Sequence, residues 1–225
     1  MKTWEKLCTV GIALVGACSG VWGAYTADEA MKIKQPLDVH TEVVKSYQGQ
    51  IASAKARKDQ PAVARLQIEY ETYEEQWRTL ERVSAIVEPI TDLRAAKLSP
   101  EESSTLDGLL GQLSKASVVT NSDPTTMGAA YLALDKYDSA AHAFAQTVAG
   151  PKSLVLKAAA FGGLANGTAN VDLRREYMET ARYSLNRSIQ TSRGTKDQPA
   201  IIEFAQHTPS LIEYLPEAMQ KKPEE

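Results

Sequence analysis

Apolar residues along this chain recur at steps of three and four, the spacing of an α-helix with one buried face. One such stripe, Val44, Tyr47, Ile51 and Ala54, predicts a helix from about Asp38 to Lys58. Asp59-Gln60-Pro61 then reads as a turn and a new helix start, because proline fits the first helical turn. The next stripe is Val63, Leu66, Tyr70, Tyr73, Trp77, Leu80 and Val87, interrupted only at Ser84. Its alternating spacing is that of a coiled-coil seam, so it predicts a long helix that Pro89 stops. The partner of the seam is the preceding helix, folded back as an antiparallel hairpin, with Tyr70, Tyr73 and Trp77 either packed there or offered to a partner helix.

Ser99-Pro100-Glu101-Glu102 is a capping box and opens a helix through Leu106, Leu109, Leu110 and Leu113, ending near Ser117. Asn121-Ser122-Asp123-Pro124 starts the next. Further helices are expected from Leu154 to Ala165 and from Asp172 to Gln190, with a loop of about seven inserted residues around Asn166–Asn170 between them. After a loop at Ser192–Asp197, a closing helix begins at Ala200–Ala205, and Glu213–Met219 adds a final turn. The fold class is all-α.

The amino-terminal segment reads differently. From Leu7 to Tyr25 no charge occurs, close to the length that spans a bilayer as a helix. Trp4, Trp22 and Tyr25 sit where interfacial aromatics belong. Three readings stay open for residues 1–25: a retained signal anchor, a lipoprotein signal, and a signal cleaved after Val21–Ala24. The lipoprotein reading rests on Leu14-Val15-Gly16-Ala17-Cys18, which resembles a lipobox with Cys18 as the lipidated residue. Each puts the remainder outside the cytoplasm, and the anchor reading gives a single-pass protein of a bacterial inner membrane with a periplasmic domain. Residues 26–37 then form a linker, 38–120 a hairpin and capping helix, 121–191 the repeats described next, and 192–225 a closing helix and charged tail.

Residues 124–152 place Gly128 and Tyr131 on one helix, Ala140 and Phe144 on the next, and the polar turn Asp135-Lys136-Tyr137-Asp138 between them. Small residues let two helices approach where they cross, and the large rings fill the space beside the crossing. This pattern resembles the tetratricopeptide repeat, whose first helix carries Leu-Gly-x-x-Tyr and whose second carries Ala-x-x-x-Phe. Pro124 stands where the family often has tryptophan, and Pro151 closes the unit one residue early. Gly162 follows Gly128 by 34 residues, the family's period, with Ala181 and Leu185 standing in for the later Ala and Phe. The resemblance covers about 75 residues, counted on the family's two-unit span, and implies a short solenoid of stacked hairpins. It also implies a concave partner-binding face of first-helix residues: Thr125, Ala129 and Leu132 from one unit, Ala159, Gly163 and Asn166 from the other. Such an uncharged groove suits an amphipathic helix; the alternative occupant is a helix of this chain, from the 99–120 region or the C-terminus.

Charge and chemistry narrow the function further. A formal net charge of −3 gives no basic field for nucleic acid. The short positive groups at Lys55-Arg57-Lys58, Arg174-Arg175 and Lys221-Lys222 read as solvated faces, as does the carboxylate run Glu69, Glu71, Glu74 and Glu75. Both cysteines, Cys8 and Cys18, lie in the apolar segment, leaving no thiol in the remainder. His40, His142 and His207 share no ligand spacing, and no phosphate loop or nucleophile elbow occurs. No cofactor and no enzymatic activity are expected. The expected role is a scaffold or accessory subunit that holds other proteins of a membrane-bound assembly, with a periplasmic chaperone-like or peptide-binding module as the alternative.

Overall fold

The computed structural model describes residues 36–114 and 123–220, and among them every regular element is a helix. The chain divides into two units, Met1–Ser46 and Tyr47–Glu225. Only the start of the first helix represents the former, so the architecture below is that of the latter. The segment read as an anchor, Cys18, residues 115–122 and the tail 221–225 lie outside the described residues. Within them no helix is long and apolar enough to cross a membrane.

Helix α1 (Pro36–Ala56) begins two residues before the expected start, and α2 spans Gln60–Thr91. Lys58 adopts φ 56° between them. Asp59 N–H reaches Ala54 O (3.1 Å) while Lys58 N–H reaches Lys55 O (3.0 Å), a Schellman closure. The Asp59 carboxylate then caps α2 by accepting from Ala62 N–H at 3.1 Å. The Tyr47 ring lies 5.9 Å from that of Tyr70 and 6.0 Å from that of Tyr73. Ala54, Val63 and Leu66 form a small core of their own beside them.

Farther along, α2 turns a different face inward. Its buried residues there are Thr79, Val83, Val87 and Ile90, displaced about 100° around the helix from the first stripe. The expected single seam is therefore two stripes, the first carrying the ring contacts to α1 and the second facing the helices that follow. Nor does the helix stop at Pro89. Proline removes one donor, yet Ile90 is fully buried and Leu93 nearly so, which holds the last turn. Asp92 N–H closes on Glu88 O (2.9 Å) and Arg94 N–H on Pro89 O (2.7 Å).

Helix α3 (Pro100–Ser114) starts at the capping box. Ser99 N–H donates to the Glu102 carboxylate at 2.9 Å, and Glu102 N–H donates to Ser99 Oγ at 3.3 Å. The Ser99 bonds hold the Glu102 carboxyl below its usual range. Leu106, Leu109, Leu110 and Leu113 all face inward, and α3 packs on α2.

Two helical hairpins follow. In the first, α4 (Pro124–Ala133) and α5 (Tyr137–Ala145) are joined by residues 134–136. Asp123 caps α4 by accepting from Thr125 and Thr126 N–H, each at 3.2 Å. Gly128 does what its spacing suggests: a Cβ built there would lie 2.7 Å from Phe144 Cε1, so the ring sits where that side chain would be. Ala140 is fully buried beside it.

The second hairpin is α6 (Pro151–Gly167) and α7 (Val171–Thr191). The loop expected around Asn166–Asn170 is shorter than expected: Asn166 and Gly167 stay helical, the extra residues lengthen both helices, and residues 168–170 connect them. Leu164 and Ala165 stay on packed faces, so helix continues until Asn170 caps α7 through Asp172 and Leu173 N–H (3.0 and 3.2 Å). At the far end, buried Ser188 donates to Pro151 O at 2.7 Å and ties the two helices antiparallel.

Helix α2 packs against α4, α5 against α6, and α8 (Gln198–His207) against α6 and α7. Beyond α8 the chain forms two short 3₁₀ turns, Ile212–Tyr214 and Glu217–Met219. This strap buries Leu211, Tyr214 and Leu215 in the same core as Phe144 and Leu185. Gln206 Nε2 donates to Met219 O (2.6 Å), and the Arg182 guanidinium lies 5.9 Å from the Tyr214 ring centre.

Candidate functional site

The site is built by the adjacent glycines of α6, which point in different directions because successive helical residues are about 100° apart. At Gly163 a Cβ would lie 2.3 Å from Tyr137 Cδ1, so the Tyr137 ring is seated directly on the α6 backbone. At Gly162 a Cβ would lie 2.7 Å from the Ser210 carbonyl oxygen. Gly162 was expected to repeat the role of Gly128 within its own hairpin. Instead it admits the backbone of the C-terminal strap.

Between these contacts lies a cleft of about 360 Å³. Leu132 of α4 and Ala159, Gly163 and Asn166 of α6 line it together, so four of the six groove residues meet at one place. The other two do not. Ala129 is fully buried in the main core, to which α2 brings Val83 and Val87 where it packs on α4. Thr125 is half-buried at the start of α4, its N–H donating to Asp123. Among the described residues, the cleft takes Leu132 and Asn166 from near the C-terminal ends of α4 and α6, and Ala159 from the middle of α6.

The rest of the lining was not legible as a site. Ala96 and Lys97 come from the α2–α3 connection, Phe204 from α8, and Thr208, Pro209 and Ser210 from the strap. Asp135 and Tyr137 belong to the polar turn, whose composition signals a turn and gives no hint that its tyrosine would be a wall. On the far side of Tyr137 a second, more open cavity of about 620 Å³ reaches Asp138, Thr168 and Tyr177. Tyr137 thus divides two lobes.

Its hydroxyl donates to Asp135 Oδ1 at 2.6 Å. Burial, reinforced by that bond and the carboxylate's charge, pushes the phenol up to about 12. The pair holds the proton firmly in place and does not activate it. Lys97 is exposed at the rim, whereas Lys136 is engaged with Asp107 at 2.6 Å. Lysine and asparagine therefore stand at one cleft, together with an aspartate that opposes a bound carboxylate. Among the described residues no group of three His, Cys, Asp or Glu side chains is placed to hold a metal. What the cleft offers is small apolar surface, an aromatic wall and hydrogen-bonding groups at its edge.

No family model, curated protein or solved structure matches this chain.

Proposed function

We propose that this chain is a membrane-anchored interaction scaffold, an accessory subunit of an assembly on the extracytoplasmic side of a bacterial inner membrane. In this reading residues 1–25 are the single-pass anchor, or carry a lipid at Cys18. The hairpins of 124–191 act as a short tetratricopeptide-like solenoid that contacts another protein. The chain works by binding, without cofactor, catalysis or nucleic acid. One observation carries the proposal: Leu132, Ala159, Gly163 and Asn166, from successive first helices, converge on one cleft walled by Tyr137. An anchored chain raises the local concentration of whatever shares its membrane, so a short contact suffices.

The test is site-specific photo-crosslinking in membranes, with the reactive residue at Asn166 and, as control, at exposed Glu176. The expected result is one protein partner, at fixed stoichiometry after mild detergent extraction, from position 166 only. A heterogeneous set of clients favours the chaperone-like module, and equal adducts from both positions contradict the site.

A further inference from the structure

The strap that walls the cleft continues from Ser210 into the core. Residues 208–215 leave α8 with the Ser210 backbone against Gly162 of α6, where any side chain would collide with a carbonyl oxygen, and the turn Ile212–Tyr214 then packs on α7 and α8. Immediately after this contact Leu211, Tyr214 and Leu215 plunge into the core, at 0%, 5% and 3% exposure. The segment has little regular structure of its own beyond one 3₁₀ turn, so side-chain anchors and that backbone contact hold it in place. This is how a bound peptide is held: a small residue at a close approach, followed by apolar anchors at short spacing. Pro209 and Ser210 also form a wall of the open cleft, so strap and cleft share one continuous surface.

We infer that residues 208–215 are a ligand built into the chain, occupying in cis a groove that Gly162 of α6 opens and that α7 and α8 flank. The groove's partner class follows from what fills it. It accepts a polypeptide segment with a small residue over Gly162, then leucine, then an aromatic residue and leucine three and four positions later, as in Ser210-Leu211-Ile212-Glu213-Tyr214-Leu215. Because the strap is tethered at α8, its effective concentration is in the ~mM range, and a free segment competes poorly. The isolated chain is therefore closed on this face. The inference deepens the interaction reading above, but its test needs no natural partner.

A protease site is placed between His207 and Thr208 of the full chain, and the labelled peptide of residues 208–220 is the probe. Before cutting, fluorescence anisotropy should show no uptake. After cutting, the labelled peptide should exchange into the groove, and a peptide carrying Leu211→Asp should not. Gly162→Ala in the cut chain should weaken uptake about tenfold or more, since the new methyl meets backbone. Uptake by the uncut chain at equal affinity would overturn the inference. So would a cut chain that keeps its helical circular dichroism yet takes up no peptide, or one that unfolds on cutting, since the strap is then core and no ligand. Any of these results leaves the crosslinking test at Asn166 free to succeed, so the two failures are separable.

Discussion

The two hairpins begin from the same device and end in different places. In α4–α5 the glycine faces its own partner helix, and Phe144 fills the space that Gly128 leaves. In α6–α7 the glycine 34 positions on has the C-terminal strap as its nearest neighbour. The longer hairpin replaces the ring-on-glycine contact with length, a fully buried Leu185, and the Ser188-to-Pro151 hydrogen bond. A small residue at the same interval thus marks a close approach, while the neighbour that uses it depends on helix length. The interval gives the opening and leaves its occupant unspecified.

The largest effect separating the hairpins should come from removing their fillers. Phe144→Ala should cost about 3–5 kcal/mol and Leu185→Ala about 2–5 kcal/mol, measured by urea denaturation. Equal losses would mean that both crossings depend on one large side chain in the same way. Gly128→Ala and Gly162→Ala should follow at about 1–3 kcal/mol each, partly offset by alanine's better helix propensity. Trimming a side chain can relieve the first, whereas the second collides with backbone and has no such remedy. Ser188→Ala should cost about 1 kcal/mol and affect only the second hairpin, read from hydrogen exchange along α6 and α7.

The smallest effect is a pH dependence of the strap. The Tyr214 hydroxyl is buried beside the Glu213 carboxylate. Burial and the neighbouring Glu213 carboxylate push the phenol from 10.0 to about 12, against a lowering by Arg182. A raised tyrosine keeps its proton longer in the folded state, so its contribution is complete below pH 10 and fades as pH climbs toward 12. Tyr137 adds a slope of the same sign. Tyr214→Phe should leave stability at neutral pH equal or slightly higher and flatten the alkaline decline. A steeper decline in the variant would contradict this origin.

Much of the helical outline could be read from residues with local consequences. Ser99 with Glu102, and Asp123 before Pro124, announce helix starts because their hydrogen bonds reach only two or three residues. Positions governed by distant packing were misread. Pro89 has the chemistry of a stop, but burial of Ile90 and Leu93 outweighs one lost donor. Asn166–Asn170 looks like a loop by composition, yet Asn166 and Gly167 stay helical and only residues 168–170 leave the helix. The same holds for the site. Leu132, Ala159, Gly163 and Asn166, expected together from the spacing, meet at the cleft, whereas Tyr137 and the strap were not expected there. Nothing in the sequence near Ser210 says that its backbone lies on Gly162.

The claim that a missing side chain organises the first hairpin is tested most directly by a double-mutant cycle joining Gly128→Ala with Phe144→Leu. If the ring occupies the space of the absent Cβ, shortening it should cost much less once alanine is present, giving a coupling of about 1 kcal/mol or more. Stability losses that simply add, within about 0.5 kcal/mol, would mean the two residues do not share that space, and the crossing would need another explanation.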